Sequence, residues 1–165
     1  MSERTYPTHA IAAVGAVVLR GDKILLVRRG YPPARGLWSI PGGVIEAGEK
    51  IFEAARRELL EETSVDAEPV GVICVFNNVV RDSSGRVLYH YLILDVLFDE
   101  KSIRGEPRAG GDASEAAWFD LERVLEREDI TRTTRALVKR IISMRKDLFE
   151  RRIVPEETES IERSR

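Results

Sequence analysis

Gly43-Val44-Ile45-Glu46-Ala47-Gly48-Glu49-Lys50-Ile51-Phe52-Glu53-Ala54-Ala55-Arg56-Arg57-Glu58-Leu59-Leu60-Glu61-Glu62-Thr63-Ser64-Val65 is the stretch whose reading decides the fold. Gly48 is an acceptable N-cap and Glu49 in a first turn suits the helix dipole, so a helix is expected from there to about Thr63. On that helix Ile51, Ala54, Ala55, Glu58, Leu59, Glu62 and Val65 recur at intervals of three and four and share one face. Glu58 and Glu62 thus fall on the stripe that should be apolar, with Glu61 at its margin. Unpaired carboxylates are costly to bury, and like charges three or four residues apart on a helix repel. A divalent cation relieves both penalties. Carboxylate oxygens are hard ligands, suited to Mg2+, with Mn2+ as the alternative, rather than to zinc. A solvated acidic face paired with Arg56 and Arg57 is the competing reading for any Glu-rich helix.

Outward from the helix the chain reads as β-structure. Ala12–Leu19 and Ile24–Val27 are expected to form a hairpin around the turn Gly21-Asp22-Lys23. Arg29–Gly36, with its prolines and glycines, is a loop, and Trp38-Ser39-Ile40 a short strand stopping at Pro41-Gly42-Gly43. Val70–Val80 and Val87–Phe98 are long strands joined by Asp82-Ser83-Ser84-Gly85. Gly105–Ala113 is a second loop, Ala116–Phe119 a short strand, and Leu121–Leu125 a short helix. Thr133–Phe149 is an amphipathic helix with Leu137, Ile141, Met144 and Leu148 on one side. The domain is expected to run over residues 1–149, followed by a charged tail over 150–165.

The spacing Gly43, Glu49, Arg57-Glu58-Leu59, Glu61-Glu62, Ser64-Val65 resembles the Nudix box, Gly-x5-Glu-x7-Arg-Glu-U-x-Glu-Glu-x-Gly-U with U aliphatic. It departs from the pattern only at Ser64, where the family has Gly; a left-handed helix end there suits Ser less well. The resemblance covers about residues 10–145. It implies an α/β/α sandwich with a mixed sheet, the box helix on one face and the Thr133–Phe149 helix on another. It also implies metal-dependent hydrolysis of a diphosphate bond in a nucleoside diphosphate derivative. By the same resemblance Glu58, Glu61 and Glu62 are metal ligands, joined by the carbonyl of Gly42, and Glu58 is in some members the base. Arg57 with Glu49 corresponds to a brace between helix and preceding loop, where ligand orientation is set.

Other roles are expected from position. Glu115, in the loop Gly110-Gly111-Asp112-Ala113-Ser114-Glu115, is the candidate general base outside the box, with Asp112 beside it and Glu58 as its rival. Phosphate contacts are expected from Arg28, Arg29 or Arg35. Trp38 and Phe76 are candidates for stacking on a nucleobase, though each is more often a core residue. His90 reads as a packed strand residue. The Trp38–Gly43 entry, the Gly85–Tyr91 strand and the Gly111–Trp118 segment resemble the ADP-ribose pyrophosphatase branch, which implies ADP-ribose as substrate. Enzymes that clear oxidised or noncanonical nucleoside triphosphates share the layout and form the alternative. A non-catalytic nucleotide sensor is the alternative of another class; retention of Glu49, Glu58, Glu61 and Glu62 argues against it, as does the lack of an appended DNA-binding domain.

Composition bounds the partners. The 165 residues are 43% hydrophobic and 33% charged, with a net charge of -2. That is a soluble globular profile with no global field for a nucleic acid polymer or anionic membrane. A small nucleotide is the expected partner, and a homodimer is compatible with the sequence. Cys74 is the only cysteine, which excludes an intramolecular disulfide and fits a cytoplasmic location. No apolar run is long enough to span a bilayer.

Overall fold

The computed structural model describes residues 4–145. The strands are β1 (Ile11–Val17), β2 (Leu19–Arg20), β3 (Lys23–Arg29), β4 (Trp38–Ser39), β5 (Gly42–Val44), β6 (Pro69–Arg81), β7 (Val87–Phe98) and β8 (Ala113–Asp120). The α-helices are α1 (Ile51–Thr63), α2 (Leu121–Glu126) and α3 (Arg132–Met144). The expected β-structure divides into two sheets. One is mixed, in the order β5-β1-β7-β6, with β1 parallel to β7 and the other pairs antiparallel. In the other, β3 pairs antiparallel with β2, β4 and β8. The expected hairpin before the box is therefore split. Ile11–Val17 joins the mixed sheet, and only Leu19–Arg20 turns back on β3, through Gly21 at φ 56°.

Alternation along the strands builds a core on each face. Val14 and Ala16 of β1, Leu25 of β3, and Val96 and Phe98 of β7 pack with Ala54, Ala55 and Leu59 of α1. Val17, Ile24, Leu26 and Leu97 pack instead with Leu121 and Val124 of α2 and Leu137, Val138 and Ile141 of α3. The box helix and the C-terminal helix thus flank the β-structure, as the sandwich requires. Thr131 caps α3, its Oγ1 accepting from Thr134 N at 3.3 Å. The expected extension of that helix to Phe149, and the tail 150–165, lie outside the described residues. No helix among the described residues is long and apolar enough to cross a membrane.

The start of α1 differs in detail from the sequence reading, and its end agrees with it. Its N-cap is Lys50, whose N–H donates to Glu53 Oε2 at 3.0 Å, so Gly48 and Glu49 precede the helix. Glu49 stays outside because its carboxylate accepts from Glu46 N at 3.0 Å and from Arg57 Nε at 2.6 Å. At the other end Ser64 adopts the left-handed conformation, φ 60° and ψ 7°, as expected of the position where the box has Gly. Its N–H donates to Leu60 O at 2.9 Å and its hydroxyl to Arg108 O at 3.3 Å.

Candidate active site

Gly42 and Gly43 do not merely stop a strand. They form β5, paired with Gly15 and Val14 of β1. A Cβ on Gly42 would overlap Val14 O, and one on Gly43 would overlap the Glu58 carboxylate. Gly43 is needed because the sheet edge runs beneath the Glu58 carboxylate, and Gly42 because the backbone of β1 lies against it. Glu58 and Glu62 then reach past β5 into a cavity of about 460 Å³.

The carboxylates are strained electrostatically in the way the sequence implies. Glu62 is 8% exposed and accepts only a long bond, 3.4 Å, from Gly42 N. Burial, reinforced by the Glu58 charge, pushes its carboxyl up to about 8, against the pull of Gly42 N–H and Arg29. Burial also raises Glu58, although Arg57 Nη1 donates to it at 2.7 Å; Glu61 and Asp112 add to the rise. Arg57 is the brace that was expected: it also holds Glu49 through Nε and Nη2 at 2.6 and 2.9 Å, and Val44 O at 3.1 Å. Its guanidinium in turn holds Glu49 below its usual carboxylate range.

The segment before β8 is pinned rather than free. Arg108 N donates to Thr63 O at 2.7 Å and Gly110 N to Glu62 O at 3.1 Å, satisfying carbonyls at the end of α1. Gly30 N donates to Asp112 O at 3.0 Å, tying the same segment to the loop after β3. These bonds bring Asp112 to the cavity wall, where its charge acts on both Glu58 and Glu62. Glu115 lies elsewhere than expected. It belongs to β8, opposite Arg28, and its carboxylate accepts from Arg28 Nη1 at 2.9 Å. Ser114 is the extra residue of a bulge between these positions, since Arg28 pairs with Glu115 and Arg29 with Ala113.

The arginines separate as well. Arg29 lines the cavity, with Nε donating to Pro33 O at 2.7 Å, whereas Arg28 and Arg35 do not line it. Trp38 is 7% exposed and packs edge-on against Phe119 with centroids 4.7 Å apart, so the structure makes it a core residue rather than a stacking platform. Phe76 does line the cavity, with Asn78 beside it on β6 and Tyr91 and Ile93 on β7. Sequence reasoning missed Asp95, on the same face of β7. It is 2% exposed, and burial raises its carboxyl to about 7. A lone acid at the inward parity of the apolar run Leu92–Phe98 was the available signal.

The donor set suits a hard divalent cation in kind: Glu58, Glu62 and the exposed Asp112 line the same cavity, and their mutual repulsion is only partly offset by Arg57 and Arg29. Among the described residues no three acidic, histidine or cysteine side chains are gathered into a ready-made metal cluster. Glu61 is turned toward solvent, its side chain 55% exposed and 3.4 Å from Arg57 Nη1.

Fold and site together define a Nudix-type sandwich with its acidic helix at the mouth of a cleft. The model of the NUDIX domain matches residues 9–141, and the chain belongs to that family. It is 39% identical over 113 residues to an ADP-ribose pyrophosphatase of Methanocaldococcus jannaschii, covering 68% of this chain and 63% of that protein. It is 30% identical to an oxidized purine nucleoside triphosphate hydrolase of Danio rerio, covering 66% and 65%. Among solved structures, the MutT NUDIX hydrolase from Burkholderia pseudomallei superposes with a TM-score of 0.69 at 26% identity, covering 81% of this chain and 98% of that one.

Proposed function

We propose that this chain hydrolyses the diphosphate bond of ADP-ribose, giving AMP and ribose 5-phosphate, with a divalent cation as cofactor. The observation that carries the reading is the pair of the half-buried Glu58 and the buried Glu62 at the Gly42–Gly43 edge of a cavity that Arg29 also enters. A buried pair of like charges is a cost without a cation and a binding site with one. Glu58 and Glu62 would hold Mg2+ or Mn2+, with Glu61 at the rim and the Gly42 carbonyl completing the set. When bound, the cation neutralises phosphate charge and acidifies the attacking water. Arg29 steadies the diphosphate. Asp112 accepts the proton of the attacking water in preference to Glu115, because Asp112 enters the cavity while Glu115 is held by Arg28.

The likeness to the Methanocaldococcus jannaschii enzyme supports ADP-ribose as the substrate. A second reading, hydrolysis of noncanonical nucleoside triphosphates, is favoured by the likeness to the Danio rerio hydrolase. A substrate panel with product identification separates them. AMP plus ribose 5-phosphate is the expected outcome. A nucleoside monophosphate plus pyrophosphate, with ADP-ribose left intact, would establish the second reading. Binding without turnover of any substrate would make the chain a sensor.

A further inference from the structure

Gly15 interrupts a β1 strand otherwise made of Ile, Ala and Val. It lies directly opposite Asp95 of β7, and a Cβ on it would overlap both Asp95 Oδ1 and Ile40 Cδ1. A glycine inside a strand weakens that strand. Here its missing side chain is the space the Asp95 carboxyl occupies. That carboxyl has no structural use to justify the space: Oδ1 is buried with no hydrogen-bond partner. A buried acceptor left unpaired destabilises the fold. The residue nevertheless lines the same cavity as Glu58 and Glu62.

The surroundings of Asp95 specify what would satisfy it. Tyr91 and Ile93 precede it along the inward face of β7, and Phe76 stands opposite Ile93 on β6. With Ile40 they make an apolar and aromatic slot suited to a flat ring. The acidic wall lies to one side. Gly42, which donates to Glu62, pairs with Gly15, and Gly15 pairs with Asp95. Asp95 is thus two strand spacings, about 10 Å, from the backbone that carries the phosphate chemistry. A nucleotide whose phosphate lies at Glu58 and Glu62 would place its base in this slot.

We propose that Asp95 is a specificity-determining residue that accepts a hydrogen bond from the exocyclic amine of the substrate's nucleobase. The inference rests on the ADP-ribose reading and deepens it, since adenine carries such an amine. It explains why an unpaired carboxyl and a strand glycine occur together in the lining of the cavity: the glycine gives the carboxyl room, and the carboxyl loses its cost when the base is bound.

The test compares binding of AMP with binding of purine riboside 5′-monophosphate, which differs from AMP by that amine alone. Calorimetric titrations would use the wild type, Asp95→Asn and Asp95→Leu. The wild type should bind AMP about tenfold or more tightly than the des-amino nucleotide, the worth of one buried hydrogen bond. Asp95→Asn keeps a carbonyl acceptor and should retain most of that ratio. Asp95→Leu should bind the two alike, with a Tm at or above that of the wild type. If Asp95→Leu does not fold, Asp95→Ala is read in its place. A wild type that binds neither nucleotide, or binds both within twofold, overturns the proposal. So does a folded Leu or Ala variant that keeps the wild-type ratio. Discrimination that depends on Asp95 in a protein that does not cleave ADP-ribose supports the proposal while removing the substrate reading.

Discussion

Glu62 is a single side chain whose burial is unfavourable for the fold and which the proposed cation site requires. Its carboxyl is raised to about 8 by burial and by Glu58, so in the cation-free protein the ionised form is penalised. Glu62→Gln removes that charge without changing the shape. Turnover of the preferred substrate should fall by about a hundredfold. Mg2+ should raise the Tm of the wild type by mass action and have little effect on the variant. Undiminished turnover in Glu62→Gln would sink the metal-site assignment. Asp95 gives a pH-dependent counterpart. A carboxyl raised to about 7 holds its proton more tightly in the fold than in the unfolded chain. Stability is therefore lost as pH rises from the ordinary carboxylate range through about 7. Asp95→Asn abolishes that titration. Its Tm should exceed the wild type most above pH 7, with the gap closing toward pH 4. A gap independent of pH would show that Asp95 does not titrate in this range.

At the scale of elements, α1 carries both the most legible pattern and its one departure. The three-and-four spacing placed Glu58 and Glu62 on the inward face because it depends only on helical geometry. The helix start was read two residues early, because Glu49 has the composition of a first-turn residue. What keeps it out is Arg57, eight positions away. Ser64 closes the helix at φ 60°, where a side chain is disfavoured and glycine is not. Ser64→Gly should stabilise the protein by up to about 1 kcal/mol, offset in part by loss of the exposed bond to Arg108 O. Thermal denaturation should show a Tm higher by about 2–4 °C, with turnover unchanged. A lower Tm would mean that the Ser64 hydroxyl contributes more than the backbone costs.

The whole molecule assembles the site from both of its sheets. Glu58 and Glu62 come from α1, the glycine edge and Asp95 from the mixed sheet, and Arg29 from the antiparallel one. Asp112 arrives on a segment tied to α1 and to the loop after β3. Two acids three positions apart thereby acquire different fates: Asp112 lines the cavity and Glu115 forms an exposed ion pair with Arg28. An exposed ion pair contributes about 1 kcal/mol or less, so Glu115→Gln should leave kcat within a few fold of wild type. Asp112→Asn should lower kcat by about a hundredfold or more, the usual worth of a positioned base. The reverse ranking in one assay would return the base to Glu115. Loss with Glu58→Gln alone, cation binding intact, would put it inside the box.

The sequence by itself determined the acidic helix, its inward face, and the long strand pair on either side of Asp82–Gly85, while the brace of Arg57 on Glu49 came from the resemblance to the Nudix box. The helix and the strand pair depend on local periodicity, turn chemistry and spacing, all of which a single segment contains. Only the tertiary structure decided that Trp38 belongs to the core, that Arg29 and not Arg28 enters the cavity, and that Gly15 makes room for Asp95. Those outcomes follow from which strands become neighbours and in what register. A shift of one residue would turn every side chain of a strand to the other face, and no window of sequence around Gly15 contains the strand that lies beside it.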